Sequence, residues 1–263
     1  MSKYVVFSFD DGRLDTFTNA FPVLNKYGFA ATVNITTDFI NNPHAYENFK
    51  SAGNMAMTWE QILTLQENGW EIASHAHTHT NDCEDIKKSL EELGKHGICT
   101  EGIGFASPNS TVDREIYAEL KENLPAEIAY IRSGLQVRRE GLVYAGLTFL
   151  NRWLKSKKLL CLLNKRCKLK LNPELAEAPM LSVGISSDMS AESVVSLLET
   201  LSENECYILM FHSILSEKEE MRKADFWWWE AEKFESLCRW LTEQKDIQIL
   251  TTKQLVKRLL QIK

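Results

Sequence analysis

Short apolar runs alternate along this chain with stretches of helical spacing, and that rhythm limits what it can fold into. Tyr4 to Phe9 is an apolar run that stops at Asp10-Asp11-Gly12, which reads as a buried strand entering a loop. Residues 16–27 place Phe17, Phe21, Leu24 and Tyr27 at helical spacing and close on Gly28, and Ala30 to Ile35 returns to strand. Thr58 and Gln61 have the spacing of a capping box, with Ile62, Leu63 and Leu65 as the apolar side of the helix behind it. Trp70 to Ser74 is the next strand, and helices over 83–95 and 113–122 alternate with strands over 102–106 and 127–131. From Met180 the pattern resumes as an apolar stretch to Ile185, a Ser190-capped helix through Leu201, a strand from Cys206 to Phe211 and a helix from about 229. Thr251 is placed to cap one last short helix. Alternation of this kind calls for a parallel sheet with crossover helices, either an open doubly wound sheet or a closed barrel.

At 263 residues the length suits one large domain or two small ones. No repeat and no Pro-rich or Gly/Ser-rich linker divides the chain, so a single domain over 1–263 is expected. Apolar residues at 44% and charged residues at 25% exclude disorder and collagen-like repeats. A net charge of -6 argues against a nucleic-acid partner. Two acidic residues at positions 10 and 11 interrupt any signal-peptide apolar region, and no 18-residue apolar run follows, so a cytoplasmic location is expected. Six cysteines without CxxC spacing are expected to be reduced.

The middle of the chain departs from this balance. Residues 150–172 carry Arg152, Lys155, Lys157, Lys158, Lys165, Arg166, Lys168 and Lys170 and no acid, interleaved with Leu150, Trp153, Leu154, Leu159, Leu160, Leu162 and Leu163. Two readings fit: an interfacial amphipathic helix touching the inner face of a membrane, or a helix packed on the fold with a solvated basic face.

Three of six histidines fall in His75-Ala76-His77-Thr78-His79, just after a strand. On a helix-like turn His75 and His79 face the same way, and with a carboxylate they make a three-ligand metal site with open positions. A polar loop with hydrogen-bonded histidines is the competing reading. Asp10 and Asp11 would repel each other at a strand end unless a cation or hydrogen bonds compensate, although an Asp-Asp-Gly turn is also ordinary. The fully apolar run Tyr207 to Phe211 ends in His212, which is either a core histidine or a functional one. In a parallel barrel all three groups would converge on one face.

Together, Ser8-Phe9-Asp10-Asp11-Gly12, His75-Ala-His-Thr-His79 and Leu209-Met-Phe-His212 resemble motifs of the polysaccharide deacetylase (NodB-homology, carbohydrate esterase 4) family. Pro22-Val-Leu-Asn-Lys-Tyr-Gly28 and Glu67-Asn-Gly-Trp-Glu-Ile-Ala-Ser-His75 match as well, and the likeness runs from residue 4 to about 255. The resemblance implies a distorted (β/α)7-type barrel, with a basic insert at about 145–178 that has no family counterpart. It also implies one divalent metal ion, usually zinc, held by Asp11, His75 and His79. Asp10 would be the general base and His212 the general acid in removing an N-acetyl group from an amino sugar, here a cytosolic or lipid-linked precursor. The same groups would serve a formamide or other non-sugar amide, and a non-catalytic sugar- or lipid-binding member is the third reading.

The family's third motif carries an arginine that holds the catalytic Asp, and here that position is Ala106, with Asn109 in place of its tyrosine. Only Phe105 and Pro108 persist, so Ser107 and Pro108 are at most a substrate loop. The fourth motif's Asp has one candidate, Asp188, better explained as N-terminal capping of the helix at Ser190. His77, between the two ligands, is expected to point away from the metal. Phe226-Trp227-Trp228-Trp229 is either an aromatic wall against a sugar or lipid, or ordinary packing of the last helix.

Overall fold

The computed structural model describes residues 2–46, 55–124, 127–135, 141–172, 175, 178–218 and 226–261. The alternation resolves as a closed barrel. Its strands are β1 (Lys3–Phe9), β2 (Thr32–Ile35), β3 (Glu71–Ser74), β4 (Ile103–Ala106) and β5 (Ile128–Gly134). After the short β6 (Leu169–Lys170) come β7 (Met180–Gly184) and β8 (Glu205–Phe211). The order β1-β2-β3-β4-β5-β7-β8 is parallel throughout, and β8 closes on β1 with Tyr4–Phe9 opposite Cys206–Phe211. This is the seven-stranded (β/α)7 barrel, in a single domain.

The distortion has a physical origin at β1. Its second half pairs with β2 only at Ser8 and Phe9, while Lys3 to Val6 pair with the late strand Ile247–Leu250. Likewise β6 runs antiparallel against the first two residues of β8. These short strands cover backbone edges that β2 and β7 are too short to reach.

Period-two alternation sorts the side chains of β1. Val5, Phe7 and Phe9 pack beneath the outer helices with Leu24, Ile62 and Phe234. Tyr4 and Val6 face the other way, onto Tyr130 of β5 and Ile208 of β8. Ser8 and Asp10 continue that inner row. Below the site, Tyr130 fills the space that a side chain at the neighbouring Gly104 would need, since a Cβ there would lie 2.0 Å from the ring. Its hydroxyl donates to Glu71 Oε1 at 2.7 Å, and Thr32 Oγ1 donates to Glu71 Oε2 at 2.9 Å. Burial still raises the Glu71 pKa despite these donors.

Several helices begin where expected. Thr58 and Gln61 form a reciprocal capping box for Trp59–Glu67, Asp113 caps Arg114–Asn123, and Ser190 caps Ala191–Leu198. Thr251 and Gln254 cap Thr252–Gln261 in the same reciprocal way. The expected single helix over 16–27 is instead a π-type turn, Thr16–Ala20, followed by Phe21–Lys26. Pro22 lacks an N–H, so the regular ladder can start only there. The helix expected from about 229 begins at Ala231, because Trp228–Glu230 pairs as a strand with Ser213–Leu215.

The basic middle folds as two helices, Leu142–Leu154 and Lys157–Asn164, with Lys155 between them at φ 46°. The second is anchored through buried Leu160 and Leu163. Among the described residues no helix is long and apolar enough to cross a membrane.

Candidate active site

Every residue of the three motifs stands at the C-terminal ends of the strands. Asp10 to Gly12 leave β1, His75 to His79 leave β3, and His212 follows β8. Backbone strain is concentrated here: Asp11, Ala76 and His79 have φ of 76°, 67° and 61°. Gly12 has φ 89°, and a side chain there would meet Ile40 at 2.9 Å.

Asp11, His75 and His79 bring one ligand atom each to within 4.8 Å of one another. Asp11 Oδ1 stands 3.5 Å from His75 Nε2 and 3.7 Å from His79 Nε2, and it is a buried acceptor with no hydrogen-bond donor. A buried carboxylate oxygen left open toward two imidazole nitrogens suits a divalent cation. The supporting contacts fix each donor. His75 Nδ1 lies 2.7 Å from the carbonyl of Ala106; donating there leaves Nε2 as the lone-pair side. Arg13 Nε donates to Asp11 Oδ2 at 2.8 Å and Arg13 Nη1 to Ser213 Oγ at 3.1 Å, so only Oδ1 remains available.

Protonation states agree with ligation. Burial opposes ionisation of Asp11, yet Arg13 and the surrounding imidazoles hold its pKa well below the usual carboxylate value. His79 is pushed down to about 4, first by burial and then by His75. At neutral pH the set is one carboxylate with His79 neutral.

Asp10 is held by a residue the motifs do not contain. Arg132, fully buried on β5, donates from one Nη2 to Asp10 Oδ1 at 2.6 Å and to Oδ2 at 2.7 Å. Its Nη1 donates to Ser182 Oγ at 2.9 Å, and Asn34 Nδ2 donates to Asp10 Oδ1 at 2.8 Å. Burial would raise the Asp10 pKa, but Arg132, with His75 and His212, outweighs it and the net direction is down. Arg132 pairs in register with Ala106, the position of the absent motif arginine. The guanidinium therefore arrives from the adjacent strand. The one signal in the sequence is a lone cation inside the run Ile128 to Gly134.

His212 lines the same cleft, and its Nδ1 is buried without a partner. Burial lowers its pKa, opposed by Asp11. Asp188 does not cap a helix: Ser190 does that, and Asp188 accepts from Ser186 Oγ at 2.6 Å and faces Arg152 Nε at 3.9 Å. The capping reading fails because Asp188 lies two residues ahead of the cap; it stands on the cleft rim instead. His77 turns away as expected, with Nδ1 2.8 Å from Thr37 Oγ1. Ser107 lines the cleft and accepts from the N–H groups of Thr111 and Val112, while Pro108 is buried. The aromatic run divides: Phe226 and Trp227 line the cleft, whereas Trp229 is core and donates to the Met189 carbonyl. A side chain at Gly184 would strike Trp227 at 2.8 Å, so that glycine gives the indole its place.

The cleft over these groups has a volume of about 990 Å³. Its far wall comes from the helix Leu142–Leu154 and the residue after it, through Tyr144, Thr148, Asn151 and Lys155. Barrel end, buried acid pair and the group Asp11, His75 and His79, which could hold a metal ion, share this one cleft. Residues 1–124, a little under half of the chain, match the family model described as polysaccharide deacetylase, the family that the motifs resemble. A curated relative, YxkH of Bacillus subtilis, is 34% identical over 77 residues, covering 29% of this chain and 24% of the relative. Its own assignment as a polysaccharide deacetylase is provisional, and the match spans about a quarter of its length.

Among solved structures, the peptidoglycan deacetylase PdaC from Bacillus subtilis aligns over 99% of this chain and 94% of its own, with a TM-score of 0.50 and 14% identity. A family 4 acetyl xylan esterase from Clostridium thermocellum, solved with a cobalt ion, aligns over 97% and 91%, with a TM-score of 0.50 and 15% identity. At such identities these likenesses concern the fold.

Proposed function

We propose that the protein is a metal-dependent hydrolase that removes an N-acetyl group from an amino-sugar-containing substrate. The observation that carries this reading is the pairing of an open ligand triad, Asp11, His75 and His79, with a separately held carboxylate, Asp10, beside it. Neighbouring carboxylates with different partners can take different tasks. A bound divalent cation, of which zinc is the family's usual choice, supplies a more acidic water and polarises the amide carbonyl. The cobalt in the esterase structure is in keeping with such a cation.

The chain's own residues do the rest. Asp10, ionised and clamped by Arg132 and Asn34, accepts the proton of the attacking water. His212, on the same cleft, donates a proton to the departing nitrogen as the C–N bond breaks, giving acetate and a free amine. The burial that lowers the His212 pKa makes its protonated form a readier donor. Phe226 and Trp227 offer ring faces to a sugar. A cleft of about 990 Å³ exceeds what a small formamide needs and favours a carbohydrate. In this reading the barrel is the deacetylase unit and 145–178 an addition to it.

The test measures metal content and acetate release from a panel of N-acetylated sugars. We expect about one metal per chain, lost in Asp11→Ala and His79→Ala. Asp10→Asn should keep the metal and lose turnover by roughly 10²-fold or more. Wild-type protein that binds no divalent cation, or an Asp10→Asn variant of full activity, would overturn the reading.

A further inference from the structure

The helix Leu142–Leu154 turns its polar side to the protein. Tyr144, Thr148, Asn151 and Lys155 recur at helical spacing and line the cleft. On the opposite stripe, Leu142, Val143, Phe149, Leu150, Trp153 and Leu154 are 93%, 78%, 62%, 46%, 78% and 60% exposed. Surface helices of globular proteins do the reverse. Of ten large apolar side chains exposed among the described residues, seven lie between 142 and 162, Leu162 being the seventh. A concentration of this kind marks an interaction surface.

Charge decides what covers it. Residues 141–172 carry eight Lys and Arg and no Asp or Glu, in a chain whose net charge is -6. Lys157 and Lys158 are exposed at the start of the second helix, which follows directly on the exposed Trp153 and Leu154. We infer that this surface docks on an anionic lipid bilayer, with the apolar stripe in the interface and these lysines at headgroup level. A second copy of the chain is disfavoured because a two-fold contact through this face would set the same basic helices against each other. Lipid headgroups supply the anions that a self-contact lacks.

The same helix forms a wall of the cleft, so docking brings the cleft mouth to the membrane surface. The substrate class is then an N-acetylated sugar carried on a lipid. This last step rests on the hydrolase reading; the docking does not.

The experiment is co-sedimentation of the full chain with phosphatidylcholine vesicles and with vesicles holding about 30% phosphatidylglycerol, alongside sedimentation velocity without lipid. We expect binding to anionic vesicles at least about tenfold tighter than to neutral ones, weakened by salt. The Phe149→Glu/Trp153→Glu double variant should lose about tenfold or more of that binding with an unchanged Tm. Asp10→Asn should bind vesicles as wild type does, which separates docking from catalysis. Wild type that ignores both vesicle types, or a double variant that binds equally well, would overturn the proposal. So would a concentration-dependent dimer that the double variant abolishes, since the second copy would then be the occupant.

Discussion

The two walls of the cleft are built by opposite rules. On the motif wall, made by the ends of β1, β3 and β5, polar groups are buried and held from several sides. Asp10 accepts from Arg132 and Asn34, Asp11 from Arg13, and His75 Nδ1 rests on the Ala106 carbonyl. On the facing wall the helix Leu142–Leu154 has no fully buried residue and shows its largest apolar side chains to the outside. Groups that must hold a proton or a cation in place need an over-determined surrounding. A wall that only shapes and locates the cleft does not, and it can diverge while the barrel persists.

Arg132 offers the largest break in that comparison. Replacing it with Met leaves Asp10 buried without its cation, and removing one partner of a buried pair costs about 3–5 kcal/mol. Urea denaturation should show that loss. Asp10's folded pKa lies below its unfolded value of 3.8, so its stabilisation is present above that value and fades as pH falls through the folded pKa. The variant should raise the Asp10 pKa, move the acidic limb of the rate profile to higher pH and cut kcat by about 10²-fold. The sharper form is Ala106→Arg in an Arg132→Ala background, because these positions are register neighbours. Partial recovery of the acidic limb is expected; a folded double variant with no recovery would show that strand position matters as much as charge.

The two walls also differed in how much the sequence revealed. The candidate pair His75 and His79, and a carboxylate from Asp10-Asp11, can be read from contiguous segments at strand ends, whereas the choice of Asp11 as ligand and the roles given to Asp10 and His212 come from the family resemblance. Arg132 was not, because strand register decides which cation reaches Asp10, and register between β4 and β5 is set by a crossover that periodicity does not encode. Closure of the barrel came from resemblance, since alternation alone suits an open sheet equally. The strands Ser213–Leu215, Trp228–Glu230 and Ile247–Leu250 are three or four residues long, too short for a periodic signal. For the basic segment, composition revealed two faces but not which one meets the barrel.

Asp15 carries a cost on the motif wall that can be removed. Burial raises its pKa to about 6, with Arg13 and the Ile214 N–H opposing, and its Oδ2 has no partner. Between 3.8 and about 6 the folded protein holds a proton that the unfolded chain has released. Stability therefore falls as pH rises through that window and stays lowered above it. Asp15→Asn keeps an oxygen for the Ile214 N–H, 2.8 Å away in the wild type. The variant should flatten the pH dependence there and gain up to roughly 2–3 kcal/mol at neutral pH, as read by chemical denaturation. A loss of stability at pH 7 would mean that the ionised carboxylate is worth more to Arg13 than its burial costs.

The smallest effect is expected on the other wall, and its smallness is informative. Trp153 and Trp229 belong to the same residue type with opposite placements. Trp229 is fully buried with its Nε1 donating to Met189, while Trp153 is 78% exposed. Trp153→Ser removes a ring that touches mostly solvent, so unfolding free energy should change by no more than about 0.5 kcal/mol. A loss well beyond that would mean that the ring already packs on protein, and the contrast between an over-determined wall and a permissive one would fail at its most exposed point. An unchanged stability leaves a large apolar side chain maintained on the surface for a purpose other than folding.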